Sequence, residues 1–240
     1  MYVNRINQRV KPRKSVPVQR RRAVMPTPIL QNTYEGSASA RRALRTGIPR
    51  LISQGDSIIV ENNEIAMTVT GTAATGVVPA GGAIRIMRFD TAGTGDNLNT
   101  TKWISKIATA YDKWVLEDLE LYYVPSLPFT AGGMYSLFFD SDPTRTAAPV
   151  GVAATSGDMR AISKQIYAEA NLKVLRNQMN RLPQYETYPT AASAAVATVG
   201  SINFSFDSII LAQATAAGSV TLGNVWMKYR IRFLNPSNAP

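Results

Sequence analysis

Strict alternation of apolar and polar side chains marks the C-terminal part of the chain. Every second residue from 225 to 233 is apolar: Val225, Met227, Tyr229, Ile231 and Phe233. The face between them carries three cations: Lys228, Arg230 and Arg232. The segment 202–207 alternates in the same way. A period of two predicts strands that bury their apolar side on a core and expose the other side.

Strand-forming residues, bounded by Gly-, Pro- or Thr-rich turns, recur through the middle of the chain. They predict strands at 57–60, 65–69, 84–89, 114–124, 134–139 and 168–175. With the two C-terminal segments this makes about eight strands, a pattern typical of an all-β, eight-stranded sandwich of the jelly-roll type.

Helical spacing is rare by comparison. Trp103, Ile107 and Tyr111 recur at every fourth position, with Ile104 and Ala108 beside them. This spacing predicts one short amphipathic helix, capped by Asn99 or Thr100. A second short helix is expected at 157–164, and the Ala/Thr-rich stretch 189–199 is expected to be a loop.

Charge divides the chain into two unequal parts. Residues 1–50 hold 12 of the 26 Lys and Arg residues and one of the 16 acids, for a net charge of +11. The remaining residues hold 14 basic and 15 acidic side chains, for a net charge of −1. A cationic arm on a neutral body predicts a polyanion as partner.

The arm carries the candidate nucleic-acid-binding residues: Arg5, Arg9, Lys11, Arg13, Lys14, Arg20, Arg21, Arg22, Arg41, Arg42 and Arg45. Its few large apolar residues cannot offset the entropy of ordering, so we expect the isolated arm to be largely disordered. Arginines on such a tether bind phosphates through charge and counterion release, without reading sequence. A solvated basic tail or a nuclear-localisation signal is the alternative interpretation.

Composition excludes several kinds of chemistry. The chain has neither Cys nor His, which rules out disulfides, Ser-His-Asp and Cys-His triads, and zinc sites built on thiolate or imidazole. We therefore expect no enzymatic activity. Long uncharged apolar runs and a signal-peptide core are also missing, so no membrane partner is expected.

Several runs resemble the shell domain of tombusvirus- and sobemovirus-like coat proteins. They are Tyr-Asp-Lys-Trp at 111–114, Leu-Glu-Leu-Tyr-Tyr-Val-Pro at 119–125, Phe-Phe-Asp-Ser-Asp-Pro at 138–143 and Gly-Asn-Val-Trp-Met-Lys-Tyr at 223–229. Glu64 also stands where that family often has an acid. The resemblance implies an arm and switch segment at 1–55 and a jelly-roll shell domain at 56–240, without a protruding domain.

The same resemblance implies a metal site. Related shells bind calcium between subunits through acids that follow this strand, where Asp140 and Asp142 stand here. Arg145 occupies a place where relatives carry a further acid, and Asn235 or Asn238 could add oxygens from a second subunit. A solvated turn is the alternative.

These observations favour a structural capsid protein of the virion, assembled in the host cytoplasm from many copies of itself. The arm would package the viral genome, and the resemblance favours single-stranded RNA. A cellular nucleic-acid-binding β domain with a basic tail is the alternative, and size in solution separates the two. A carbohydrate-binding jelly roll or a hydrolase would need a functional acid pair in a cleft, and Asp140 and Asp142 are too close in sequence to form one.

Overall fold

The computed structural model describes residues 48–89, 103–145, 147–155, 160–179, 182–187, 197–212 and 217–237. Within these ranges the chain is built mostly of antiparallel strands. They are β1 (Arg50–Gln54), β2 (Ser57–Ala73), β3 (Val77–Val78), β4 (Gly81–Ile86), β5 (Tyr111–Pro125), β6 (Met134–Asp140), β7 (Ile162–Gln165), β8 (Ala170–Val174), β9 (Tyr185–Glu186), β10 (Ser201–Phe206), β11 (Ile209–Ile210) and β12 (Gly218–Pro236).

The strands form two main sheets. One has the order β1-β2-β12-β5-β8, with β9 also paired to β5, and the other has the order β4-β10-β6-β7. The chain passes repeatedly from one sheet to the other, as in a jelly roll, and β11 pairs with β3 in a small third sheet. The predicted all-β sandwich is confirmed. One strand is longer than expected, because the two predicted strands at 57–60 and 65–69 are parts of the single strand β2.

The core lies between the two sheets, and β12 supplies much of it. All five apolar residues of its alternating segment are buried, as the sequence predicts. Aromatic rings from both sheets contribute to the core. Phe89 meets Trp114 of β5 edge to face at a centroid distance of 5.1 Å, and Tyr135 of β6 stacks on Phe204 of β10 at 4.9 Å. Such pairs add to the stabilisation that comes from burying their area.

The strand β10 differs from its prediction, since both of its faces are buried. Its apolar residues face the core, while Ser201, Asn203 and Ser205 are covered from the other side. The covering segment includes the 3-10 helix Val152–Thr155. Ser205 Oγ donates to the carbonyl oxygen of Pro149 at 2.9 Å. The alternation therefore identifies the polar face of this strand correctly, but it does not show that a loop covers that face.

The helices are shorter than expected. Helix α1 spans Ile104–Ala108. The predicted apolar face is confirmed at Ile104 and Ala108, which are buried, and at Ile107, which packs against the core. The prediction is wrong for Trp103, which is 46% exposed, and the helix ends before Tyr111, which begins β5. The proposed caps Asn99 and Thr100 lie outside the described residues. Helix α2, Arg176–Met179, was not predicted.

The expected helix at 157–164 is also wrong where the structure describes it. Residues 162–165 form β7, whose backbone pairs with 134–137 of β6. The neighbouring strand prediction at 168–175 is confirmed by β8. Most of the expected loop at 189–199 falls outside the described residues.

The N-terminal boundary contains one more strand. Arg50–Gln54, which the sequence analysis placed in the arm and switch segment, forms β1 and pairs with residues 57–61 of β2. Ordered structure thus begins before residue 56, while the division into an arm and a shell domain stays a prediction.

Candidate functional site

The eleven basic residues of the predicted nucleic-acid-binding arm all lie at positions 1–47, outside the described ranges. Their role stays a prediction. Within the described residues, charged side chains cluster at three places of the body: the outward face of the large sheet, the turn after β6, and a buried acid on β2.

A ladder of ion pairs covers part of the outward face of the six-stranded sheet. Glu117 bridges two arginines of β12, with Arg230 Nε 2.7 Å from Oε2 and Arg232 Nε 2.6 Å from Oε1. Arg230 also donates through Nη1 to Glu61 Oε1 at 2.9 Å. The pairing follows from register, because β12 lies between β2 and β5 and its cations stand across from their acids.

Longer contacts continue this ladder. Lys228 Nζ lies 3.7 Å from Glu120 Oε2, and Arg50 Nη1 lies 3.4 Å from Glu61 Oε2. Such partly exposed pairs each stabilise the fold by about 0–1 kcal/mol. Their more important effect is on charge, since Lys228, Arg230 and Arg232 each have a carboxylate within 4 Å. The three cations of β12 are therefore neutralised by the protein itself.

Two carboxylates of the ladder have lowered pKa values. Burial raises the pKa of Glu117, but hydrogen bonds from Arg230 and Arg232 outweigh it, and the pKa falls below its ordinary value. For Glu120, burial again opposes the hydrogen bonds from Tyr122 and Asn171, and the pKa is lowered. Glu117 and Glu120 are consequently ionised throughout the neutral range.

The turn after β6 contains the predicted calcium ligands. Asp140 Oδ1 accepts the backbone N–H of Asp142 at 2.8 Å, and Asp142 Oδ1 accepts the N–H and the hydroxyl of Thr144 at 2.9 and 2.7 Å. The guanidinium of Arg145 donates to the other oxygen of Asp140 and lies 5.8 Å from the ring centroid of Phe138.

These contacts fit a calcium ion poorly. Calcium takes about six to eight oxygen ligands. Among the described residues no group of three or more acids stands close enough to hold a metal. The side chain of Arg145 already supplies positive charge to Asp140, and Asn238 falls outside the described ranges. Calcium binding stays a prediction, and the geometry of this turn counts against it.

Glu64 is a buried acid on β2. It is 8% exposed, and the amide of Asn62 donates to its Oε1 at 2.8 Å. The phenol of Tyr229 lies close by: burial and then the negative charge of Glu64 raise its pKa. The phenol therefore stays protonated at any physiological pH. This cluster is a polar inclusion in the core-facing side of the large sheet.

Comparison with known proteins places the chain in a family. A model of the family described as viral coat protein (S domain) matches residues 33–239. The chain belongs to this family. A search among curated proteins found no similar sequence.

Solved coat structures share the fold. Tobacco necrosis virus matches with a TM-score of 0.59 and 21% identity, over 81% of this chain and 90% of that one. Cucumber leaf spot virus matches with a TM-score of 0.60 and 18% identity, over 81% of this chain and 56% of that one. The capsid of Macrobrachium rosenbergii nodavirus matches with a TM-score of 0.58 and 14% identity, over 94% and 100%.

The family prediction made from the sequence is confirmed, as is the structural rather than enzymatic role. The coat protein is a component of the virion, built to form a shell from many copies. Within the part of the chain that the structure describes, no helix is both long and apolar enough to cross a membrane.

Sequence reasoning missed the ion-pair ladder. Its signal was present, since Lys228, Arg230 and Arg232 alternate in one strand while acids cluster at 117–120 in another. The sequence does not give the register between β12 and β5, which places these cations beside these acids.

Proposed function

We propose that this coat protein packages a single-stranded RNA genome through its N-terminal arm while its shell domain closes an icosahedral capsid, and that assembly takes place in the host cytoplasm. The observation that carries the proposal is the charge asymmetry of the chain. Residues 1–50 have a net charge of +11, and the remainder has a net charge of −1.

The ion-pair ladder supports this division. A surface that binds RNA must offer cations to phosphates, and each neutralised phosphate releases counterions. Lys228, Arg230 and Arg232 are engaged with carboxylates of the same sheet. RNA would have to break these pairs before it could use those cations, whereas the arm has a single acid, Glu35, among its first 50 residues.

The experiment compares the full chain with a variant that lacks residues 1–45, in RNA binding by filter retention across a salt series. A second variant keeps the arm length but replaces the eleven basic residues with Gln. We expect both variants to lose most of their RNA affinity. The wild-type affinity should fall by about 10³–10⁵ between 50 and 200 mM salt, as for six to ten phosphate contacts.

Charge, rather than arm length, is the variable under test. If the Gln variant binds RNA as tightly as the wild type at the same salt, the arm is not the packaging element. A Lys228→Gln and Arg230→Gln double variant serves as the control, and its RNA affinity should match that of the wild type.

A further inference from the structure

The outward face of the large sheet continues beyond the ion-pair ladder into an uncharged row that contains two aromatic residues. Directly opposite residues on neighbouring antiparallel strands share a face. Trp226 of β12 stands opposite Ile65 of β2 on one side and Tyr122 of β5 on the other, and Tyr122 stands opposite Asn171 of β8. Trp226 lies two residues before Lys228 in an alternating strand, so its side chain is on the same face as the ladder.

Three side chains of this row, Ile65, Trp226 and Tyr122, form what we call the aromatic platform. Ile65 is 42% exposed and Trp226 is partly exposed, whereas Tyr122 is largely buried beside them. A partly exposed indole can stack with a second planar ring, because aromatic rings prefer offset-stacked or edge-to-face contacts. The row carries no charge, so a ring that lies on it does not have to displace an ion.

Hydrogen bonds fix the side chains that surround the platform. The hydroxyl of Tyr122 donates to the carboxylate of Glu120, which also accepts the amide N–H of Asn171 at 2.9 Å. On the other side of the platform, Thr68 Oγ1 donates to Asn224 Oδ1 at 2.8 Å. The surface is therefore preorganised, and little ordering is needed when a ligand lies on it.

The basic arm joins the body on this same face. Ile48 and Arg50, where the described structure begins, line a surface pocket together with Lys228. Arg45, the last of the candidate nucleic-acid-binding residues of the arm, precedes Ile48 by three residues in the sequence. Lys228 in turn follows Trp226 by two residues, about 7 Å along a strand. A polyanion held by the arm is consequently brought beside the platform.

We propose that the aromatic platform stacks an unpaired base of the RNA whose phosphates the arm binds. The inference rests on the packaging function proposed above, since RNA on the arm is what brings a base to this face. Stacking rings beside a positively charged tether are a means of holding single-stranded nucleic acid without reading its sequence. The two parts are complementary, because the arm supplies charge for phosphates and the platform supplies an uncharged ring for bases.

Stacking on the platform leaves the ion-pair ladder intact. Lys228, Arg230 and Arg232 stay engaged with carboxylates, because a stacked base needs no phosphate contact from them. The two contacts therefore differ in their response to salt. Binding by the arm weakens as salt rises, since counterion release drives it, whereas stacking of an uncharged base does not depend on counterions.

The platform also distinguishes single strands from duplexes. In an A-form duplex the bases are paired and stacked on one another, and the deep major groove excludes side chains. The arm contacts phosphates, which both forms present. A contribution from the platform should accordingly appear with single-stranded RNA and be missing with duplex RNA.

The test measures binding of unassembled full-length subunits to poly(U) and to the poly(A)·poly(U) duplex over a salt series, with thermal unfolding of each variant. Trp226→Leu removes the ring but keeps an apolar side chain between Ile65 and Tyr122, and Trp226→Phe keeps a ring. Trp103→Leu is the matched control. Trp103 is 46% exposed but lies beside α1, at the opposite end of β5 from Tyr122.

We expect Trp226→Leu to weaken poly(U) binding by about fivefold or more, as for the loss of one base stacked on an aromatic ring. The factor should be the same at low and at high salt, and duplex binding should not change. Trp226→Phe should bind poly(U) more tightly than Trp226→Leu, and Trp103→Leu should match the wild type. Unchanged poly(U) affinity in Trp226→Leu would overturn the proposal, as would an equal loss with the duplex.

A second measurement does not depend on the stability of the Leu variant. Poly(U) should quench the indole fluorescence of the wild type more than that of Trp226→Phe, because a stacked base lies against the ring that the Phe variant has lost. Equal quenching in the two proteins would overturn the proposal even if Trp226→Leu fails to fold.

Two further outcomes separate this proposal from its basis. If the variant whose eleven arm cations are replaced by Gln binds poly(U) as tightly as the wild type, the packaging function itself is wrong. If that variant loses its affinity but Trp226→Leu keeps it and no longer forms particles, the platform is a contact between copies, and stacking on RNA is wrong.

Discussion

Ile231 offers the sharpest test of the assignment of faces in β12. Its side chain is fully buried, in a strand position flanked by Val60 of β2 and Leu116 of β5. Ile231→Ala removes three carbons, which at about 0.8 kcal/mol per buried CH₂ costs about 2.4 kcal/mol in transfer free energy. Neighbours on both sides are held by their own sheets, so a cavity remains and raises the loss to about 3–4 kcal/mol.

The neighbouring residue is the matched control. Arg230 is 40% exposed, and it forms ion pairs with two carboxylates, those of Glu61 and Glu117. In Arg230→Ala, Glu117 keeps Arg232, and Glu61 keeps its longer contact with Arg50. Because exposed pairs contribute little to stability, this variant should lose far less free energy of unfolding than Ile231→Ala.

Urea unfolding of unassembled subunits measures both free energies of unfolding through the fluorescence of the three Trp residues, of which Trp114 is fully buried. For a body of this size the Ile231 variant should melt about 6–16 °C lower, at about 2–4 °C per kcal/mol. Equal losses for the two variants would refute the placement of Ile231 in the core and of Arg230 on the ladder.

Two other perturbations test the charged parts of the body. Glu117→Gln should lower the free energy of unfolding at neutral pH by about 1 kcal/mol, because both arginine partners are partly exposed. Since the folded pKa of Glu117 lies below its unfolded value, the difference from wild type should be present above about pH 5 and should be lost as pH falls through the folded pKa. A difference that does not shrink as the pH is lowered would contradict the ladder. Wild-type particles should sediment alike with and without chelator at pH 7.5, whereas Arg145→Ala particles should swell there as the charge of Asp140 loses its partner; swelling of wild-type particles by chelator would instead support calcium at Asp140 and Asp142.

The sandwich and most of its strands could be predicted because a long segment of alternating apolar and polar residues is compatible only with a strand that buries one face. In β12, nine residues of strict alternation leave a core face and an outer face, and the structure agrees. Short signals were less secure. Trp103, Ile107 and Tyr111 fit a helical period over only nine residues, and the start of β5 at Tyr111 cuts that period short.

Some features depend on tertiary contacts that the pattern of apolar and polar residues does not encode. The polar face of β10 looks solvent-facing from sequence alone, yet Asn203 is fully buried because the loop over the four-stranded sheet covers it. The ladder around Glu117 likewise depends on a register between strands more than a hundred residues apart. The acid pair at 140 and 142 and the cation at 145 were visible in the sequence, but only the conformation of the turn shows that Arg145 pairs with Asp140.

The distribution of charge links the arm to closure of the shell. Each copy carries a net charge of +10, made up of +11 in residues 1–50 and −1 in the remainder. Bodies that are close to neutral repel one another little when copies meet, but their arms bring like charges together. That repulsion is relieved by salt or by a polyanion. RNA bound to the arms would therefore favour contact between the bodies without taking part in that contact. Removing the arm charge should accordingly permit shells that form without RNA.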